Sequence, residues 1–340
     1  MSNTIIINKK IKSYKKTIVV GSDKSISIRT ILLASQALGI STISNLLESE
    51  DVLNALNAIK KLGIKYKKKG NKYKIYGLGL NGFKLNQNTT INAGNSGTLA
   101  RLILGLLVKS DQKIKLIGDK SLSKRDFSRV TNPLKQFGVN IKSTKNSLPL
   151  EIHGTEFLRP INFIENIGSA QCKSAVMLAA LNTKGETVIK AKKSRDHTEI
   201  LLRYLKIPLI VKKNKKFDLI KIKGEKQFKG FNYNVPSDIS SSAFFIVLTV
   251  LSENSKLIIK NVNINPSRVG IVTILKKMGA NIIFKNIKNY KGEKNADIHV
   301  SSSKLLQPIN CPSNLNSTAI DEFLVIFLVA AKAKGISKFK

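Results

Sequence analysis

Three times along this chain a helical run ends in an apolar residue, a glycine and the start of a short strand: Leu62-Gly63-Ile64, Phe137-Gly138-Val139 and Met278-Gly279-Ala280. Leu205-Lys206-Ile207 is a degraded copy, with Pro208 taking the place of glycine as the helix stop. Copies recur at roughly 70 residues, longer than a solenoid unit and suited to a compact subdomain of strands and two helices. Each stretch mixes hairpin-like strands with helices, so the pattern predicts an α+β (mixed α/β) architecture of packed repeats, not a doubly wound parallel sheet. A chain of 340 residues is also too long for one small core and predicts two domains. The polar, glycine-containing stretch Gly224–Tyr233 is the candidate crossing between them.

Within this frame residues 4–8 (TIIIN) and 17–20 (TIVV) read as strands. From about Ser25 the apolar residues recur at helical spacing, with Ser22 and Asp23 as natural N-caps and Gly39 as the stop. A second helix is expected over Ser49–Leu62, then strands at 64–66 and 72–76, then a glycine-rich turn opening into an apolar helix, INAGNSGTLARLILGLL. The longest apolar runs, such as Phe323–Ala331, fall far short of a bilayer span. Cys172 and Cys311 have no CxxC partner, which argues against a disulfide framework or a zinc site. With no secretory signal legible at MSNTIIINKK, the chain reads as cytoplasmic.

A formal charge of +37 ordinarily raises nucleic acid as a partner. Yet only eight of the 58 basic residues are arginine, and lysines are spread along the whole length. Tracts such as Lys67-Lys68-Lys69 and Lys212–Lys216 sit between apolar runs, where solvated turns belong. The arginines are more informative, because a guanidinium fork matches phosphate and carboxylate.

They gather at helix starts. Lys24, Ser25, Ser27 and Arg29 crowd the first turn of the opening helix, where free N–H groups and the dipole favour an anion. Asn92–Arg101 (NAGNSGTLAR) is a backbone cradle of the same kind, though it is neither a Walker loop nor a dinucleotide fingerprint. Lys124, Arg125 and Arg129 surround another helix start, Ser169-Ala170-Gln171 opens a further apolar helix, and Ser194-Arg195-Asp196-His197 precedes TEILLRYL. His197 has no ligand spacing to His153 or His299, so no metal is expected. Any one of these fits a capped surface helix with solvated cations. The series suggests a cleft where helix N-termini converge on polyanionic ligands.

The series resembles the 5-enolpyruvylshikimate-3-phosphate synthase family. The resemblance rests on GSDKSISIR (21–29), GNSGTLAR (94–101), GDKSLSKR (118–125), SLPLEIHG (147–154), SAQCKSAVMLAALNT (169–183), SRDHTE (194–199) and AIDEF (319–323), in the family's order over nearly the whole chain. It implies two similar domains, each of three βαβαββ units, with helix N-termini facing the cleft. The first strand and the C-terminal half form one domain and the middle forms the other. Placed on this chain, that gives a central domain over 18-228 and a second over 1-17 plus 229-340, its last unit missing. The chain stops at KGISKFK where the family continues into a segment with a catalytic glutamate and further cations, so a fragment or a broken gene product is expected.

The resemblance further implies transfer of the enolpyruvyl group of phosphoenolpyruvate to the 5-hydroxyl of shikimate 3-phosphate, with no metal or organic cofactor, by a monomer without nucleic-acid or membrane partners. Lys24 is then expected to touch both substrates. Ser25, Arg29, Ser169, Ala170, Gln171 and Arg195 hold shikimate 3-phosphate; Asn95, Gly97, Arg125 and Gln171 line the phosphoenolpyruvate site. Asp321 binds the ring hydroxyls and takes the proton of the 5-hydroxyl. Two local departures stand out: Ile28 occupies a position that is polar in the family, and Asp126 one that is usually proline. The competing readings are the related cell-wall enolpyruvyl transferase, an inactive remnant that only binds shikimate 3-phosphate, and a basic nucleic-acid-binding protein. Against the first, neither cysteine lies in a mobile loop and Lys24 is followed by Ser25, not asparagine.

Overall fold

The computed structural model describes Ile6 and residues 11–339. Its first elements are β1 (Lys15–Ile18), α1 (Lys24–Ser35), β2 (Leu38–Ser44), α2 (Glu50–Lys61), β3 (Lys65–Lys69) and β4 (Lys72–Leu78). There follow β5 (Thr89–Asn92), α3 (Gly97–Leu106), β6 (Ile114–Ile117), α4 (Ser128–Gln136), β7 (Asn140–Ser143) and β8 (Leu150–His153). The middle closes with β9 (Asn162–Glu165), α5 (Ala170–Leu181), β10 (Glu186–Lys192), α6 (His197–Tyr204), β11 (Leu209–Lys213), β12 (Phe217–Lys223) and β13 (Asn232–Asn234). The last part holds α7 (Ile239–Leu251), β14 (Lys256–Asn263), α8 (Gly270–Lys277), β15 (Asn281–Tyr290), β16 (Glu293–Ser301), α9 (Asn316–Ala319) and α10 (Phe323–Lys332).

The chain divides into a large unit, Ser22–Pro236 with Tyr290–Glu293, and a small unit, Met1–Gly21, Ser237–Asn289 and Lys294–Lys340. The large unit carries three four-stranded sheets in the orders β13-β2-β4-β3, β5-β6-β8-β7 and β9-β10-β12-β11. All three follow one plan: a parallel pair at one edge, then antiparallel strands to the other. The small unit repeats the order as β1-β14-β16-β15, with β1 parallel to β14.

Two opening strands are out of sequence. The strand before α1 pairs in the small unit, whereas β13, the strand before α7, completes the β2 sheet of the large unit by pairing with Thr42–Ser44. The units therefore change at Gly21/Ser22 and Pro236/Ser237, beyond the Gly224–Tyr233 stretch and the expected 17/18 and 228/229 boundaries, and again on either side of Tyr290–Glu293.

The glycine repeat has a single mechanical cause. Leu62, Phe137 and Met278 close α2, α4 and α8, and the glycine after each has φ of +84°, +104° and +89°. That left-handed backbone turns the chain from helix into strand at no Cβ cost. In the fourth copy Lys206 itself takes the turn at φ +59°, so it, and not Pro208, stands where the glycine belongs.

In the large unit α1 and α5 are enclosed on every side; all residues from Ile26 to Ser35 and from Cys172 to Leu181 are buried, the polar ones among them included. Together with α3, which packs against both, they form the buried centre of the unit, which is why the sequences of α1 and α5 show little amphipathic pattern. Ile28 lies inside this centre at 0% exposed, so an apolar residue suits it. The small unit builds its own core from α7, α8, β14, β16 and α10, through residues such as Ile246, Ile259, Leu275, Ile298 and Ile326.

Several local expectations shift. The strand at 4–8 lies outside the described residues apart from Ile6. β1 covers Lys15–Ile18 rather than 17–20. Asp23, not Ser22, caps α1, its Oδ1 accepting from Ile26 N at 2.8 Å. The helix ends at Gln36, and Gly39 sits in β2. Lys67-Lys68-Lys69 is no turn: it belongs to β3, an edge strand whose lysines stay solvated while its backbone pairs with β4. Lys212 and Lys213 likewise end β11, an edge strand paired with β12.

Candidate active site

Two arginine centres form at helix starts of the large unit, and α5 joins them. The first is at α3. Ser96 caps this helix by accepting from Leu99 N at 3.3 Å, which fixes the turn Asn95-Ser96-Gly97. Arg101 lies one turn on and donates from Nη1 to Gly97 O at 3.2 Å and to Gln171 Oε1 at 3.0 Å. Gln171 in turn donates from Nε2 to Thr98 Oγ1 at 3.0 Å, so the starts of α3 and α5 are cross-linked by one amide side chain. Gly97 has a steric reason: a Cβ there would lie 2.8 Å from Arg101 Nη1 and 3.0 Å from Arg125 Nη1. Only a hydrogen leaves room for both guanidinium groups at this turn.

Arg125 reaches the same turn from the segment after a single 3₁₀ turn, Leu122–Lys124. Its Nη2 donates to Asn95 Oδ1 at 3.3 Å, and Asn95 Nδ2 donates to Asp119 Oδ2 at 2.5 Å. Asp119 Oδ1 accepts from Leu122 N at 2.7 Å. The Leu122 amide and the Asn95 side chain hold the Asp119 carboxyl below its ordinary range. Arg101 is held below the usual arginine range, first by burial and then, against a raising effect of Cys172, by the like charges of Arg125 and Arg129. A bound anion relieves that like-charge cost. Asp126 accepts from Ser128 N at 2.8 Å and from Ser128 Oγ at 2.6 Å. Its carboxylate thereby closes the turn into α4 by hydrogen bonding.

The second centre is Arg29, only 4% exposed. Its Nε donates to Thr198 Oγ1 at 2.8 Å, Nη2 to Ser174 Oγ at 3.2 Å and Nη1 to Ser25 O at 3.1 Å. Ser174 and Thr198 are themselves 2.7 Å apart. Thus α1, α5 and α6 all touch one guanidinium, and Arg195 stands half-buried just ahead of α6. Ser174 is three residues beyond Gln171, on the same face of α5. Ser169 caps α5 through Cys172 N at 3.3 Å, and Ala170 is its first residue. Lys24, exposed at the start of α1, pairs with Asp51 Oδ2 of α2 at 2.8 Å.

Of the expected residues, the structure links Asn95, Gly97, Arg125 and Gln171 into one network and ties Ser25 to Arg29 in another. Asp321 belongs to the small unit and precedes α10 in an exposed turn. Its neighbour Glu322, not Asp321, flanks the helix; Glu322 is buried and accepts from Ser240 Oγ at 2.5 Å. His197 bonds through Nδ1 to Glu293 Oε1 at 2.6 Å, with both side chains buried. Sequence reading passed over Arg101, Asp119, Ser174 and Thr198 as site residues. Arg101 alone had a signal, its spacing of one helical turn from Gly97; the others depend on which helices become neighbours.

Residues 8–340 match the family model for EPSP synthase (3-phosphoshikimate 1-carboxyvinyltransferase). The chain belongs to the EPSP synthase family. A curated 3-phosphoshikimate 1-carboxyvinyltransferase of Ruthia magnifica is 45% identical over 317 residues, covering 93% of this chain and 72% of the relative. One of Hydrogenovibrio crunogenus is 42% identical over 329 residues, 94% of this chain and 73% of the relative. The solved EPSP synthase of Acinetobacter baumannii superposes with a TM-score of 0.85 at 37% identity, across 95% of this chain and 72% of that one. The fold extends further: the enolpyruvyl transferase NikO of Streptomyces tendae matches with a TM-score of 0.71 at 14% identity, across 96% of this chain and 74% of that one. The expected mixed α/β architecture of enolpyruvyl transferases is thus the observed one, and the linked helix starts lie in the EPSP synthase motifs that first pointed to it.

Proposed function

We propose that this chain transfers the enolpyruvyl group of phosphoenolpyruvate to the 5-hydroxyl of shikimate 3-phosphate, as a transferase of the shikimate pathway leading to aromatic amino acids. One observation carries the assignment of the site: α5 ties two arginine centres together, through Gln171 on one side and Ser174 on the other. Both substrates carry a phosphate and a carboxylate, and charge-assisted hydrogen bonds from two fixed cation sets hold them in reacting geometry.

In this reading Arg29, Ser25, Ser169, Ala170, Gln171 and Arg195 bind shikimate 3-phosphate. Gly97, Asn95, Arg125 and Gln171 form the phosphoenolpyruvate site, and Lys24 serves both. Asp321 accepts the 5-hydroxyl proton as that oxygen bonds to C2 of phosphoenolpyruvate, while the electrons of the C2–C3 double bond take up a proton from solvent at C3. Breaking the C2–O bond then releases phosphate, and loss of a proton from C3 restores the double bond. The cations of the α3 turn stabilise the phosphate as it departs. The reading includes a monomeric, cytoplasmic enzyme without nucleic-acid or membrane partners; the lysines of β3 and β11 lie on solvated edge strands, where charge guards an edge against pairing.

Isothermal titration with shikimate 3-phosphate tests the reading; a folded sample that gives no heat sinks it. Lys24→Met should abolish binding of both substrates. Size-exclusion chromatography with light scattering checks the monomer.

A further inference from the structure

Behind the Arg29 centre lies an ion pair with no evident place in the chemistry. Lys173 Nζ and Glu199 Oε1 are 2.6 Å apart, with side chains 0% and 3% exposed. Beyond this pairing, among the described residues, neither the Lys173 ammonium nor Glu199 Oε2 has a hydrogen-bond partner. Burying two charges with so little support costs more than their attraction returns, and well-packed apolar residues are commonly as stable or more so. Stability is therefore a poor account of why the pair is there.

Its position supplies another. Lys173 directly precedes Ser174 on α5, and Glu199 directly follows Thr198 on α6. Those two hydroxyls are the ones that hold Arg29, and they also contact each other. Ser174 and Thr198 are short side chains, so a small slide of α6 along α5 breaks their mutual contact and the Thr198 bond to the guanidinium. A short, buried, single-geometry ion pair one residue from each hydroxyl fixes that offset.

We propose that Lys173–Glu199 is a positioning pair for the shikimate-3-phosphate centre. It sets the register of α5 against α6 so that Ser174 and Thr198 lock Arg29 in the orientation that receives the substrate's anionic group. The ligand in this proposal rests on the functional reading above; the link from pair to arginine does not.

The test is Lys173→Met combined with Glu199→Leu in the full chain, which removes both charges and keeps the volume. Nitrogen-15 NMR reads the Arg29 Nε–H, and titration calorimetry reads shikimate 3-phosphate. The expected result is a folded variant in which the Arg29 Nε–H exchanges at least ten-fold faster and the substrate binds at least ten-fold more weakly. Glu199→Asp, which keeps the charge on a shorter stem, should recover part of the Arg29 protection. An unchanged Arg29 resonance in the folded double variant overturns the proposal. So does failure of the double variant to fold, because the pair would then be a stability element. A parent protein with a protected Arg29 that ignores shikimate 3-phosphate refutes the functional reading instead, while the exchange rate still decides the role of the pair.

Discussion

The two arginine centres of the large unit solve the same problem in opposite ways. At α3 the network is open: Asn95, Asp119 and Arg125 lie near solvent, and the chain Asp119–Asn95–Arg125 is held by hydrogen bonds between side chains. At α1 the cation is sealed in, with two hydroxyls and a carbonyl fixed on Arg29 and a buried ion pair behind them. The open centre keeps long side chains able to adjust as an anion arrives, at the cost of salt sensitivity and ordering entropy. The sealed centre loses little freedom on binding because its donors are already placed. On the proposed function, two anionic substrates meet one centre of each kind: a preformed seat and a solvent-exposed turn.

The sharpest way to break this comparison is Arg29→Ala. It should weaken shikimate 3-phosphate binding by about 100-fold or more, about 3 kcal/mol, the scale for removing a buried, hydrogen-bonded charge from an interface. Calorimetry measures it, and a loss under ten-fold would show that the sealed centre is a packing feature.

Gly97→Ala comes next. The new methyl displaces the ends of Arg101 and Arg125, which are flexible, so the fold should survive. Phosphoenolpyruvate affinity, measured with shikimate 3-phosphate present, should fall roughly ten-fold, within the 1–3 kcal/mol expected for one methyl-sized group in a tight pocket. Binding of shikimate 3-phosphate alone should change less than two-fold. Equal losses for both ligands would mean the two centres are not separate.

Asp119→Asn tests the open network by pH. Hydrogen bonds from the Leu122 amide and the Asn95 side chain hold the native carboxyl below the ordinary aspartate range, so its ordering effect is complete above that range and is lost as pH falls through the depressed native value. The Asn95 side-chain amide resonances should therefore shift as the parent is acidified below the ordinary aspartate range and show no such transition in the variant. The effect on phosphoenolpyruvate affinity at neutral pH should be smaller than that of Gly97→Ala, about three-fold, in line with a solvent-exposed polar contact. The smallest effect belongs to Lys68→Met. Lys68 pairs with Glu48 at 2.6 Å on the exposed edge strand β3, and its loss should leave binding of both ligands within error. A measurable loss would restore bulk charge as the source of affinity.

The sequence by itself determined the recurring unit. Apolar residue plus glycine demands a helix stop and a reversal into strand, and that local rule placed the ends of α2, α4 and α8. It also determined which helix starts are polar and cationic, because capping and first-turn chemistry act over three or four residues. Gly97, Asn95, Gln171 and Arg29 stood out at such starts for that reason, whereas the roles expected of them came from the family resemblance. Tertiary structure decided the rest. That β1 and β13 pair in sheets distant from their sequence neighbours is settled by strand pairing, with no signal in either short segment. That Lys67–Lys69 forms an edge strand rather than a turn depends on β4 offering a partner. Ser174, Thr198, Lys173 and Glu199 look like ordinary residues of two helices. Ser174 and Thr198 became a clamp on Arg29, and Lys173 and Glu199 an ion pair, only when packing brought α1, α5 and α6 together, because a hydrogen bond between side chains 145 or 169 positions apart has no local cause.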